Sequence, residues 1–381
     1  MKKTLVAIAA LTAVSAFAQS SVTVSGIVNY GMHNDVAKTT TYGGLKGDRN
    51  NLTFGVVEDM GNGVSTTGTL QFRFNSGTGA AGYNNSGASA AVGAGATQFE
   101  QVAIGVNTPY SNVRVGRFTN AMGVADVHVF EDSKYGTNSA RAAYGRLSNT
   151  LQITTPSFAG VQAALIGAQG STNKWGNPGG VTGAGFITGV DYSAQTQTGM
   201  TKGVNDFSAL VINYTNGPLF LQAAAINGVA YEKATKIAAT YNTGWAKFYA
   251  SQYNQKDDIK VTTTTTAAAD GVTTAVTAGG AGAGLAAHKS TEYGVSVPYG
   301  NWTGRLGMQT NNKDLDTSIT DGSTKVKKTT IGAEYALSKR TQLQYQRSNV
   351  KNGVAATNAA IGGGFGDSTG SAYFVGIQHS F

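Results

Sequence analysis

The 381-residue sequence holds four histidines, His33, His128, His288 and His379, and no cysteine. None stands at metal-ligand spacing from another, and no nucleophile elbow supports a serine–histidine–acid assembly. Neither a metal nor a cofactor site is therefore expected. The residues that could act together are arginines and carboxylates, gathered between Val113 and Arg146 in VRVGRFTNAMGVADVHVFEDSKYGTNSARAAYGR. Asp126, Glu131 and Asp132 sit inside this stretch; Arg114, Arg117, Arg141 and Arg146 sit towards its ends. Arginine keeps its charge and its planar fork in a wet environment. Two uses follow: an electrostatic wall that steers ions, or arginine–carboxylate pairs that pin a loop. The stretch runs about 25 residues without a sustained helix or strand period, and loops of that length inside an ordered fold are usually functional.

The elements that must position these groups alternate with period two. In NLTFGVVED, Leu52, Phe54 and Val56 share one face, so Arg49 falls on the other. In VSTTGTLQFRFN, Leu70, Phe72 and Phe74 oppose Gln71 and Arg73. Arg114 likewise opposes Val113 and Val115, and Arg146 opposes Leu147, Leu151 and Ile153. Arg49, Arg73, Arg114 and Arg146 thus belong to one polar face. Arg117 has the opposite parity but stands where the long stretch leaves its strand. Arg305 shares the polar parity, near a short turn and away from any narrow point.

The amino terminus reads as an export signal spanning residues 1–18. Lys2 and Lys3 precede an apolar run from Leu5 to Phe17, and Ala16-Phe17-Ala18 fits a cleavage site. Beyond it, no stretch approaches the roughly 18 apolar residues of a membrane-spanning helix, so a membrane location would require strands. There are 52 Gly, 17 Tyr and 5 Pro, and the mean hydropathy is −0.14. A barrel wall gives such values because only alternate residues meet lipid. The formal charge is +8 including the two signal lysines. Export argues against a nucleic-acid partner, and an anion-attracting lumen fits the basic balance.

Seventeen strand-like segments can be counted, FITGVDYS among them. An even number is required if both ends of a closed barrel lie on one side. Short turns flank VQAALIGAQ and DFSALVINY, so residues 170–204 are read as one external loop. That leaves 16 strands, seven short turns and eight long connections, all in a single domain over 19–381. Residues 256–288 include a low-complexity external loop. Tyr110, Tyr214, Trp245, Tyr299 and Trp302 stand at strand ends, as interfacial aromatic girdles do. In the final strand Tyr373, Val375, Ile377, His379 and Phe381 share a face, and the chain ends on Phe381.

That ending, with the export signal, GDRNNLTFGVVEDMGNG, VRVGRF, PSFAGV and VGIQHSF, resembles the Gram-negative general porins of the β-proteobacterial branch. The resemblance covers essentially the whole mature chain. It implies an all-β, 16-stranded antiparallel transmembrane β-barrel with an inward-folded third external loop, here residues 119–145, and assembly as a homotrimer. It also supports placing Arg117 in the pore. Two departures stand out: Asp48-Arg49-Asn50-Asn51-Leu52 at the start of the second strand, and a third loop with no Pro-Glu-Phe-type tip.

The expected function is passive diffusion of small hydrophilic solutes through an outer-membrane pore. Its constriction would comprise Arg49, Arg73, Arg114, Arg117, Arg146, Asp126, Glu131 and Asp132, with a weak to moderate preference for anions. His128 in the inward loop is a further candidate pore charge. Tyr373, Val375, Ile377 and Phe381 would serve the barrel-assembly machinery as an assembly signal. Outer-membrane lipid and lipopolysaccharide complete the expected partners. A substrate-specific channel and an outer-membrane barrel enzyme are the alternatives.

Overall fold

The computed structural model describes residues 20–34, 40–43, 50–74, 76–77, 99–121, 128–130, 146–168, 207–228, 231–256, 288–312, 325–351 and 369–381. The expected export signal (1–18), Arg49, Asp126, Glu131, Asp132, Arg141, the expected 170–204 loop and nearly all of the expected 256–288 loop lie outside them, and Arg146 is described by its backbone alone.

The strands are β1 (Ser21–Asn34), β2 (Thr40–Gly43), β3 (Asn51–Gly61), β4 (Val64–Arg73), β5 (Phe99–Asn107), β6 (Asn112–Thr119), β7 (Arg146–Thr154), β8 (Val161–Ala168) and β9 (Phe207–Asn216). They continue as β10 (Leu219–Gly228), β11 (Tyr231–Asn242), β12 (Lys247–Lys256), β13 (His288–Tyr299), β14 (Trp302–Asn312), β15 (Lys325–Ala336), β16 (Thr341–Lys351) and β17 (Gly370–Ser380). All pair antiparallel in one sheet, which closes where β17 meets β1, from Ile27↔Ser380 to Asn34↔Tyr373. The first half of β1 pairs with β3, Ser21↔Val57 to Ile27↔Asn51, and its second half with β2, Gly31↔Gly43 to Asn34↔Thr40. β2 and β3 are therefore successive pieces of one wall position. The barrel has 16 positions. Closure leaves no open sheet edge in lipid, where each unsatisfied backbone group would be costly.

β8 pairs directly with β9, Val161↔Tyr214 to Ala168↔Phe207, so no strand stands between them; FITGVDYS itself lies outside the described residues. The seven short turns fall where the sequence marks them. Asn62 (φ 53°) and Gly63 (φ 74°) make one; in another, a Cβ at Gly160 would overlap the Thr215 carbonyl. One connection differs from expectation. β10 ends at Gly228 and β11 begins at Tyr231, so two residues join strands that the sequence suggested were separated by a long loop.

Burial is inverted relative to a water-soluble sheet. On β16, Leu343 and Tyr345 are exposed while Gln344, Gln346 and Ser348 are buried; on β8, Leu165 is exposed and Ala164 and Ile166 are buried. The apolar outer face follows the alternation read from the sequence, and the polar inner face encloses the lumen. Tyr110, Trp245, Tyr299 and Trp302 stand exposed at the short-turn end, with Trp302 packed on Tyr335 at 4.7 Å between ring centroids. β17 alternates as expected. Val375, Ile377 and Phe381 are exposed and Phe374 is buried, while Phe381 exchanges backbone hydrogen bonds with Gly26 at 3.0 and 3.1 Å.

Candidate functional site: the lumen between two walls

The first wall is the inner face of β3 to β7. Its polar side chains form a continuous ladder. The Thr53 hydroxyl donates to Asn51 Oδ1 at 3.2 Å, Gln71 Nε2 to Thr53 Oγ1 at 2.8 Å, and Gln101 Nε2 to Gln71 Oε1 at 2.7 Å. Arg73 continues this face and donates through Nε to Glu100. A bulge makes that contact possible. Gln71 pairs with Gln101 but Phe72 pairs with Phe99, so Glu100 is an extra residue in β5 whose carboxylate reaches the lumen-side arginine. Bulges re-aim side chains in this way, and strict alternation does not foresee it.

Arg114 Nη2 donates to Thr69 Oγ1 at 3.2 Å, and its guanidinium lies 4.5 Å from the centroid of the buried Phe118 ring. The cation thus keeps a polar partner and an aromatic face, an arrangement that suits a guanidinium. Arg117 is placed differently. It pairs with Val102 on the register of the outer-face residues Val102, Ile104 and Val106, and stands at a second bulge, where Gly116 (φ 120°) and Asn149 (φ 51°) bracket the irregularity. The pairing therefore does not carry Arg117 into the lumen as the resemblance suggested: an extra residue in β7 absorbs the irregularity, and the parity of β6 up to Arg117 stays that of a regular strand.

After β6 the chain turns away from its own strand. Thr119 N donates to Gln101 Oε1 at 3.0 Å and Ala121 N to Gln152 Oε1 at 2.8 Å, while the Ala121 carbonyl accepts from Gln222 Nε2 of β10 at 3.4 Å. Asn120 and Ala121 are buried. Inward glutamines of three different strands thus hold the start of this connection.

Residues 128–130 lie against the second wall, the inner face of β12 to β15. His128 Nδ1 is 2.7 Å from Glu292 Oε2, and both groups are buried. Arg305 Nη1 donates to the Val129 carbonyl at 3.0 Å, and Nη2 donates to Glu334 Oε2 at 2.9 Å. Val129 and Phe130 cluster with Tyr249. Two glycines make room for them: a Cβ at Gly294 would overlap the Val129 side chain, and one at Gly332 would come within 2.6 Å of Phe130 Cε1. Arg305, read from the sequence as inward-facing, is a contact residue of this segment. His128 is half of a buried pair rather than a group open to the lumen. Glu100, Gln101, Gln152, Gln222, Glu292, Gly294, Gly332 and Glu334 were not singled out by the sequence. Inward parity could have flagged the glutamines and Glu292, whereas Glu100 and the glycines needed the bulge and the cross-lumen neighbours.

Among the described residues no three His, Cys, Asp or Glu side chains gather as a metal site. A closed barrel with a polar, charged inner face and an apolar outer face has the build of a transmembrane β-barrel. A family model for the Gram-negative porins matches residues 4–355. The chain belongs to that family.

This porin is 27% identical to an outer membrane porin protein of Bordetella pertussis over an alignment of 431 residues that covers all of both chains. Its fold is similar to an anion-selective porin from Comamonas acidovorans, with 21% identity, 95% and 100% of the two chains covered and a TM-score of 0.58. It is also similar to the outer membrane protein OmpT of Vibrio cholerae carrying a loop L8 deletion, with 10% identity, 95% and 99% coverage and a TM-score of 0.60. The porin lies in the Gram-negative outer membrane as a barrel of transmembrane strands. It passes solutes by passive diffusion and is a channel, not an enzyme.

Proposed function

We propose that this porin is a general diffusion channel with a weak to moderate preference for anions, narrowed by its third external loop, 119–145, folded into the lumen. One observation carries the reading. Ala121 is fastened to β7 and β10, and residues 128–130 of the same connection are seated on β12 to β15. Contacts of one connection with both walls support a loop folded into the lumen, which would leave free only part of the cross-section.

The sign of the preference comes from the inner-face charges. Among the described residues Arg73, Arg114, Lys236, Lys247, Arg305 and Lys328 face Glu100, Glu292 and Glu334. A net basic lumen lowers the entry barrier for anions. Arg114, whose hydrogen-bond partner is a hydroxyl, is the proposed principal cation. Arg49 and Arg146 extend that wall by sequence parity, with Asp126, Glu131 and Asp132 as the proposed acidic side. The name of the Comamonas porin, anion-selective, agrees with this sign. A trimer is the proposed assembly, since a trimeric form of Vibrio cholerae OmpT shares the fold, and β17 with its terminal Phe381 is the proposed signal for the assembly machinery.

The test is the zero-current potential of the reconstituted channel in a salt gradient. The expected sign is anionic, with Arg114→Ala moving it towards zero. A cation-selective parent channel would overturn the arginine assignment.

A further inference from the structure

The barrel closes along one seam, where β17 meets β1 from Ile27↔Ser380 to Asn34↔Tyr373. These are the first and last strands, so no turn or loop ties one to the other. In a hairpin the turn fixes the register; at this seam the side chains must do so. The two faces exclude a slip of one residue, which would turn every side chain of a strand to the other side. A slip of two residues keeps both faces, and alternation does not exclude it.

β1 holds two glycines, Gly26 and Gly31, and a phenyl ring from the end of the chain covers each. On the inner face Gly31 pairs with Gly376, and the buried Phe374 ring lies over both. A Cβ at Gly31 would stand 2.7 Å from Phe374 Cε2, and one at Gly376 would overlap Phe374 Cζ. On the outer face a Cβ at Gly26 would stand 2.5 Å from Phe381 Cζ. The backbones also approach closely here, since the same added atoms would meet the Val375 carbonyl at Gly31 and the Asn51 carbonyl at Gly26. Asn29, between the two glycines, donates through Nδ2 to Gln344 Oε1 at 2.9 Å and to Gln378 Oε1, its partner in the pairing, at 3.5 Å. Sliding β17 by two residues would set Gly376 opposite Asn29 or His33, and Phe381 opposite Val24 or Val28. Neither ring would then find glycine on β1. Overpacking of each ring disfavours a slipped register about 5- to 150-fold, the equivalent of about 1–3 kcal/mol.

We propose that Phe374 and Phe381 form a two-sided key that selects the register in which the last strand closes on the first. One ring reads Gly31 from the lumen side and the other reads Gly26 from the lipid side. The two seats stand on opposite faces of β1, and both rings meet them in one register only. Aromatic rings seated on glycines of a neighbouring strand pin register in this way. The key acts within the wall itself, separately from any recognition of Phe381 by the assembly machinery, and it does not depend on how the third loop folds.

The chain has no cysteine, so an engineered pair reports register without background. Met32→Cys/Val375→Cys joins residues that face each other in the observed register. Met32→Cys/Tyr373→Cys and Met32→Cys/Ile377→Cys would join only in the two slipped registers, because diagonal neighbours about 7–8 Å apart are too distant for a disulfide. The purified chain is refolded in detergent with no other protein and oxidised, and the cross-linked fraction of heat-resistant barrel is measured by mass spectrometry. With both rings present the native cross-link should dominate. Phe374→Ala and Phe381→Ala should each raise the slipped-to-native ratio at least about 5-fold, and the double variant at least about 25-fold if the two penalties multiply. Phe248→Ala, which removes an exposed ring of β12 away from the seam, should leave the ratio unchanged. Should the double variant fail to close, the single variants, each keeping one ring, carry the test. An unchanged ratio in both single variants, or an equal rise with Phe248→Ala, would overturn the proposal.

Discussion

Gly332→Ala tests the seat of the third loop with a single methyl group. A Cβ at this position would stand 2.6 Å from Phe130 Cε1, 3.1 Å from Phe130 Cζ and 3.1 Å from the Tyr345 carbonyl, where ordinary contact begins at 3.4 Å. The carbonyl belongs to the paired strand β16 and holds the methyl from the far side. The phenyl ring must therefore retreat by about 0.8 Å, the difference between 3.4 and 2.6 Å. Overpacking of this kind costs about 1–3 kcal/mol, which shifts the balance between seated and unseated Phe130 by roughly 5- to 150-fold. Gly304→Ala is the matched control, since a Cβ there meets nothing within 4 Å. Single-channel recording in a planar bilayer is the assay. Gly332→Ala should show a changed main conductance level or added fluctuation between levels, and Gly304→Ala neither. Heat-induced loss of sheet circular dichroism should match the parent in both, because the wall pairing is untouched. A Gly332→Ala channel indistinguishable from parent and control would refute the idea that Phe130 holds the constricting segment.

The ion pair built by the β5 bulge gives two shifts of opposite sign. Glu100→Gln removes a negative charge beside Arg73 and should move the reversal potential further towards anions, whereas Arg73→Ala removes a positive charge beside Glu100 and should move it towards cations; no shift in either variant would place the pair outside the conducting path. At the closure of the barrel, Gly26→Val would press on the Phe381 ring and the Asn51 carbonyl, each 2.5 Å from an added Cβ. Its yield of heat-resistant barrel on refolding should fall several-fold, and an unchanged yield would show that Phe381 does not need that seat.

How much of this was legible beforehand depends on what each feature requires. The strand count, the seven short turns and the two faces of β17 follow from period-two alternation and turn residues, which are local properties. The alternation of Leu70, Phe72 and Phe74 with Gln71 and Arg73 was sufficient to orient that wall. Arg305 was legible as inward but not as a loop contact, because its partner Val129 is 176 residues away in the chain. The two-residue link between Gly228 and Tyr231 was missed because register, not composition, decides where a hairpin closes.

The sequence by itself determined a closed antiparallel barrel, its apolar exterior and its polar inner face. Those features depend on residue type and on neighbours one to four places away. Only the tertiary structure decided that Glu100 reaches Arg73 and that Gly294 and Gly332 receive Val129 and Phe130. The reason is physical. An extra residue in one strand reverses the facing of every side chain counted past it, and a glycine seat exists only relative to the atoms that a distant segment brings across the lumen.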